Sequence, residues 1–284
     1  MTAPIGPVIR RMRGDEFALL TEWAAREGWN PGRHDVEAFR TIDPDGFWIA
    51  LAGDEPAAVI SVLAYDTDYA FLGFYIAAPA HRARGVGKAL WDRAIAACPA
   101  RAIGLDGVVD QQENYARSGF ALRHRNVRHE GTVAAREPLP PGLAIRAPQP
   151  ADRAALDALD AIVFGRPRAR FLDVWLAAPG HRVRLVERDG SLAGYGAARP
   201  CERGTKVGPL FAADRATADA LLRELCDGMP VPHVLDVPEP NTAGIAIADA
   251  HALVPAFETA RMLRGDAPPD DTTRTFGVTT FEAG

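Results

Sequence analysis

The stretch Phe71-Leu72-Gly73-Phe74-Tyr75-Ile76-Ala77-Ala78-Pro79-Ala80-His81-Arg82-Ala83-Arg84-Gly85-Val86-Gly87-Lys88-Ala89-Leu90-Trp91 decides how the chain is read. Its first half, Phe71 to Ala78, is a short apolar run with aromatics, the pattern of a buried strand. Pro79 cannot donate to a ladder and ends it. Beyond the basic turn at 82–87, apolar residues at Val86, Leu90, Trp91, Ala94 and Ile95 recur at helical spacing, with no proline before Pro99. A strand, a basic glycine loop and a helix, in that order, build a diphosphate site. Free N–H groups and partial positive charge gather at the helix N-terminus. Glycines let the backbone approach the phosphates, and arginines add charge-assisted bonds.

The letters separate three phosphate motifs. A P-loop requires G-x-x-x-x-G-K-[ST], but Arg82 stands where its first glycine belongs and Ala89 follows Lys88. A dinucleotide fingerprint requires G-x-G-x-x-G, and Leu90 replaces the last glycine. What remains is R-x-x-G-x-G at 82–87. It resembles the acetyl-CoA loop of the GNAT N-acetyltransferases, whose pattern is [QR]-x-x-G-x-[GA] after a strand ending near a proline. Farther on, Arg101 to Val109 reads as the next strand, followed by Asn114-Tyr115-Ala116-Arg117-Ser118-Gly119-Phe120. This is similar to the GNAT helix ending Y-x-x-x-G-F, with Gly119 suited to a helix C′ position.

Composition agrees. The chain has 284 residues, 48% hydrophobic and 24% charged, with net charge −5, enough for two ordinary domains. Mild acidity argues against nucleic acid as a partner. The basic side chains are nearly all arginine, a coding bias rather than a binding signal. Cys98, Cys201 and Cys226 are odd in number and lack metal-ligand spacing, so a reducing cytoplasm and no metal are expected. No signal peptide and no run of about 18 apolar residues appears, so neither secretion nor membrane spanning is expected.

Before the central stretch, Pro7 to Met12 reads as a strand, Asp15 to Arg26 as an amphipathic helix and His34 to Phe39 as a second helix. Gly46 to Leu51 and Ala57 to Tyr65 flank a turn at 53–56 as a hairpin. Phe120 to Val127 and the residues after it are expected to close the domain. Residues 138–142, Pro-Leu-Pro-Pro-Gly, form a stiff linker. The pattern then restarts. Leu143-Ala144-Ile145-Arg146 mirrors Val8-Ile9-Arg10 at an offset of 136, and Leu235-Asp236 mirrors Leu105-Asp106 at an offset of 130. The chain is therefore read as an internal repeat: an α/β (α+β) protein of two tandem GNAT folds, 1–137 and 143–284, each a mixed, mostly antiparallel sheet flanked by helices. Val207 to Ala212 takes the place of the central strand, but no glycine loop follows it, so the second domain is expected not to bind CoA. Arg261 to Gly265 and Thr272 to Phe281 are expected as its closing strands.

The resemblance implies an acetyl-CoA-dependent transfer to a primary amine of a small molecule in a ternary complex. Backbone N–H groups across Arg84, Gly85, Val86, Gly87, Lys88 and Ala89 would hold the pyrophosphate, with Arg82, Ala83 and Asn114 beside them. The pantetheine arm would pair with Ile76, Ala77 and Ala78 like an added strand, where one N–H could polarise the acyl carbonyl. Tyr115 would donate to the departing sulfur; the plainer reading is a core-packing residue. No carboxylate lies between Phe71 and Ala78, so the base is sought among Glu27, Asp35, Asp106 and Asp110. Asp106 is the first choice, although the repeated Leu-Asp also suits a structural task. Trp29, in a Gly/Pro loop, is nominated for substrate contact. A non-catalytic acyl-CoA sensor and a peptide or protein N-acetyltransferase are the alternatives, and a homodimer is left open.

Overall fold

The computed structural model describes residues 6–98, 100, 102–267 and 270–284. The first repeat runs β1 (Val8–Arg11), α1 (Ala18–Arg26), α2 (Asp35–Ile42), β2 (Phe47–Ala52), β3 (Glu55–Ala64), β4 (Tyr69–Ala77), α3 (Val86–Ala97), β5 (Ala102–Val108), α4 (Gln112–Arg117) and β6 (Ala121–Gly131). The second runs β7 (Leu143–Arg146), α5 (Arg153–Phe164), α6 (Ala169–Trp175), β8 (Arg182–Arg188), β9 (Ser191–Pro200), β10 (Thr205–Ala212), α7 (Arg215–Cys226), β11 (His233–Pro238), α8 (Thr242–Ala250) and β12 (Val254–Arg264), with a short β13 (Thr275–Gly277) behind it. The expected strand from Arg101 begins at Ala102, and Arg101 lies outside the described residues. The α6 helix is an addition to the sequence reading.

The repeat extends to single bonds. Arg10 donates to both oxygens of Glu16 (2.7 and 2.6 Å), and the Arg13 amide donates to Glu16 Oε2 at 2.7 Å. An offset of 136 carries these residues onto Arg146, Asp152 and Gln149, which repeat the pattern at 2.6, 2.7 and 2.6 Å. The Arg146 guanidinium holds the Asp152 carboxyl down at about 2, and Arg10 lowers Glu16 in the same way.

One expectation is corrected. The halves do not close separate sheets. A single sheet runs β1-β2-β3-β4-β5-β12-β6-β11-β10-β9-β8-β7, with β13 on β10. The closing strands have crossed: β12 of the second repeat lies antiparallel on β5, and β6 of the first lies antiparallel on β11. The physical reason is that a strand's alternation fixes which face it buries, not which strand it joins. The linker thus divides the repeats along the chain but not in space. Thr272 to Phe281 also departs from expectation, forming only the three-residue β13 before a buried tail.

Packing joins the halves again. One apolar cluster draws α1, α2 and β2–β4 together with α5, α6, β8 and β9. At its centre Phe39 stacks on Phe171 (ring centroids 6.4 Å apart) and on Trp175 (6.3 Å). A second cluster holds α3 and α4 on the opposite face of the first half's sheet, where Trp91 stacks on Tyr115 at 5.6 Å.

Candidate active site

Strands β4 and β5 pair in parallel only from Tyr69↔Ala102 to Leu72↔Leu105. Beyond that they part. The cause lies in β4, where Gly73 faces Ser61 and Ile76 faces Val59, so Phe74 and Tyr75 together stand opposite Ile60. This is a β-bulge, and Phe74 takes a left-handed φ of 48°, a conformation costly for a bulky residue. The bulge turns β4 away and leaves its Gly73–Ala77 edge unpaired by β5. The resulting wedge opens into a cavity of about 480 Å³.

The glycine loop lies at the mouth. Ala83 (φ 57°) and Gly85 (φ 79°) are both left-handed, and Gly85 is the residue from which α3 starts. Ala89 N–H bonds to the Gly85 carbonyl, so the N–H groups of Val86, Gly87 and Lys88 precede the first helical bond and remain unused by the helix. Gly87 has no room for a side chain, since a Cβ there would lie 2.9 Å from the Tyr75 hydroxyl. Such a cradle of free amides beside an unpaired strand edge fits a diphosphate with an extended amide-bearing arm.

Of the predicted site residues, Trp29, Ile76, Ala77, Arg82, Ala83, Gly85, Gly87, Lys88, Asp106 and Tyr115 line the cavity. Ala78, Arg84, Val86, Ala89 and Asn114 do not. The Ala78 amide is bonded to the Ala57 carbonyl, and Asn114 is exposed, tied to Gln111 (2.6 Å) and Arg117 (2.9 Å). Arg82 reaches across the mouth: its Nε donates to the Ala77 carbonyl at 3.0 Å, and its Nη2 pairs with Glu27.

Tyr115 sits against Gly107, where a Cβ would lie 2.1 Å from its ring. Burial, with Tyr75 nearby, pushes its hydroxyl well above the usual phenol range. It stays protonated at neutral pH, the form that can donate a hydrogen bond.

Asp106 is corrected as a base. Arg261 Nε and Nη2 donate to its two oxygens at 2.8 and 2.7 Å, and Asn126 adds a third bond at 2.8 Å. A carboxylate saturated in this way braces the sheet. Asp35 is spent likewise on Arg199 (3.0 and 3.3 Å) and the Gly32 amide (3.1 Å). Asp110 is exposed and away from the cavity.

The inner wall comes from the second repeat. Phe257 and Thr259 of β12 and Phe281 and Glu282 of the tail line the cavity. Beneath them, Arg128 Nη1 donates to the Trp29 carbonyl at 2.7 Å, and the buried Lys206 ammonium reaches that carbonyl at 3.5 Å. Burial and the Arg128 charge bring Lys206 down to about 8. No motif flags Glu282, which follows a Thr-rich run without periodicity.

The second repeat has its own parting strands. β10 pairs with β11 only over Thr205–Val207, and the wedge beyond holds the chain itself. There β13 pairs with β10, and the Val278 amide donates to the Asp236 carbonyl of β11 at 2.9 Å.

Family comparisons match both halves. Residues 15–120 match the acetyltransferase (GNAT) family, and residues 156–277 match an acetyltransferase (GNAT) domain. Holothin acyltransferase of Pseudoalteromonas sp. (strain SANK 73390) is 30% identical over 274 residues, 95% of this chain and 92% of that protein. The chain belongs to the GNAT family of acyltransferases. Its fold is similar to a putative acetyltransferase from Pyrococcus horikoshii, with TM-score 0.82 and 21% identity over 98% of this chain and 96% of the other. It is also similar to a GCN5-related N-acetyltransferase from Sphaerobacter thermophilus, with TM-score 0.67 and 17% identity over 96% and 100% of the two chains. For this tandem GNAT protein the family implies an acyl-CoA co-substrate. Among the described residues no helix is long and apolar enough to cross a membrane, and no cluster could hold a metal ion.

Proposed function

We propose that this chain transfers an acetyl group from acetyl-CoA to a primary amine of a small molecule, directly within a ternary complex, using one site in its first half. The observation that carries the reading is the continuity of the wedge. One cavity takes in Gly85, Gly87 and Lys88 of the loop, the unpaired Gly73–Ala77 edge of β4, and Trp29, Phe257 and Phe281 from both repeats. A peptide acceptor would need an open acidic groove, whereas aromatic walls suit a compact molecule. The relationship to an acyltransferase named for holothin supports a small-molecule acceptor. The second half, its wedge filled by β13, is read as binding no coenzyme. Three free cysteines suit a reducing cytoplasm.

The test is release of free thiol from acetyl-CoA, and from longer acyl-CoAs, with a panel of primary amines. Gly85→Glu should abolish coenzyme binding by calorimetry. Tyr115→Phe should leave binding unchanged and lower kcat about 10- to 100-fold. Coenzyme binding without thiol release from any amine would favour a non-catalytic sensor.

A further inference from the structure

The central strand carries no carboxylate, and the acidic residues near it are engaged, which leaves the acceptor ammonium without a partner from the first repeat. Among the described residues, the cavity nonetheless holds one acid with no ion-pair partner, because Glu27 is paired with Arg82 and Asp106 with Arg261. Glu282 is only 3% exposed and lines the wedge. Three hydrogen bonds hold it and its neighbour in place. The Glu282 amide donates to Thr280 Oγ1 at 3.2 Å, the Thr280 hydroxyl donates back to Glu282 Oε2, and the Tyr65 hydroxyl holds the Ala283 carbonyl at 2.6 Å. Gly73, the residue at which β4 leaves β5, is pressed against it: a Cβ there would lie 2.2 Å from the Glu282 carbonyl oxygen. Among the described residues no group donates to Glu282 Oε1.

We infer that Glu282 is the catalytic base of the first-half site, so that the repeat without a glycine loop supplies the proton acceptor for the repeat that has one. The inference rests on the acyl-CoA reading of the wedge. An alkylammonium of pKa about 10.4 must lose a proton before it can attack. Among Phe74, Phe257 and Phe281, burial favours a neutral amine beside a neutral carboxyl over the ion pair, which drives the proton from nitrogen to Glu282 Oε1. The amine lone pair then forms the C–N bond and the C–S bond breaks, its electron pair leaving on sulfur. The second nitrogen proton reaches that sulfur through the Tyr115 hydroxyl, and Glu282 returns its proton to solvent. Arg128 on β6 and Lys206 on β10 are the positive charges that act on Glu282 from the neighbouring strands. The other charged walls are Glu27, already paired with Arg82, Lys88 paired with Asp92, and Asp106 held by Arg261.

Glu282→Gln keeps the shape and removes the base. With acetyl-CoA and the amine panel near neutral pH, kcat should fall about 100-fold while KM and calorimetric CoA affinity stay within about twofold. The deficit should shrink as pH rises toward the amine's own pKa. CoA binding with kcat retained within about threefold overturns the assignment, whereas failure of the wild type to bind CoA removes the acyl-CoA reading and the assignment with it. A second measurement needs no acceptor. In protein carrying 13C-labelled glutamate and bound to CoA, the Glu282 carboxyl resonance, identified by its loss in Glu282→Gln, should report an ionised group at pH 7.5. A carboxyl still protonated at pH 8 overturns the assignment.

Discussion

Arg128 and Asp236, 108 residues apart, close a two-pronged ion pair inside the sheet, with Nε 2.7 Å from Oδ1 and Nη2 2.9 Å from Oδ2. The pair joins β6 of the first repeat to β11 of the second. Asp106 and Arg261 form its mirror image, joining β5 to β12. Each repeat therefore gives one acid and one base to the seam. The Leu-Asp echo in the sequence is the trace of this exchange.

Both groups of the Arg128–Asp236 pair are almost wholly buried, at 1% and 2% side-chain exposure. Removing one partner strands a charge, and Arg128→Ala or Asp236→Ala should each cost about 3–5 kcal/mol in urea unfolding. Replacing both, as Arg128→Met with Asp236→Leu, should cost less than either single change. A double variant as unstable as the sum of the singles would show that the two act separately.

Gly73→Ala should displace the tail. The added Cβ meets the Glu282 carbonyl at 2.2 Å, and backbone cannot yield as a flexible side chain would. A loss of about 1–3 kcal/mol in stability is expected. CoA affinity should hold while kcat falls, because the glycine loop is untouched. Equal losses in both would place the tail in coenzyme binding instead.

Glu27→Gln should tighten CoA binding. Glu27 now holds Arg82, with side-chain exposures of 31% and 49%, so release costs little. An exposed pair of this kind is worth under about 1 kcal/mol, or about two- to fivefold in affinity. The gain should fade with added salt. Unchanged or weaker binding by calorimetry would mean that Arg82 does not reach the phosphates.

Acid should weaken the fold through His181. Its ring lies edge-on to Trp175 at 5.2 Å, with Nδ1 buried and unpartnered among the described residues. Burial, then the nearby Arg199 charge, pushes it down to about 4. The unfolded chain takes up this proton near pH 6.5 and the folded one only near 4, so stability is lost as pH falls between those values. The half-buried ring should account for about 1–2 kcal/mol of that loss. Relative to His181→Phe, the wild type should show a steeper drop in urea midpoint over this window, and parallel curves would refute it.

Much of this was readable in the letters. The β4–loop–α3 unit, the second motif ending at Gly119 and the restart after the linker all rest on local signals: period, proline and glycine. Tyr115 and Trp29, which line the cavity, stand in or beside the same local signals. The exchange of β6 and β12 was not, because inward and outward alternation is satisfied by either neighbour. Asp106 misled because a one-dimensional reading cannot see Arg261 arriving from 155 residues away. Glu282 was invisible, since nothing about its neighbours says that the tail passes two equivalent glycines in turn. A Cβ on Gly208 would meet the Val278 carbonyl at 2.4 Å, just as one on Gly73 would meet Glu282.

Duplication ordinarily leaves a spare, and the spare is free to decay. Here the traded strands act as a ratchet against that loss. Deleting everything after Gly131 would strip β5 of β12 and bare a long sheet edge, an invitation to aggregation. The half without a glycine loop is thus indispensable as architecture, and truncation cannot free the first half as a self-sufficient sheet.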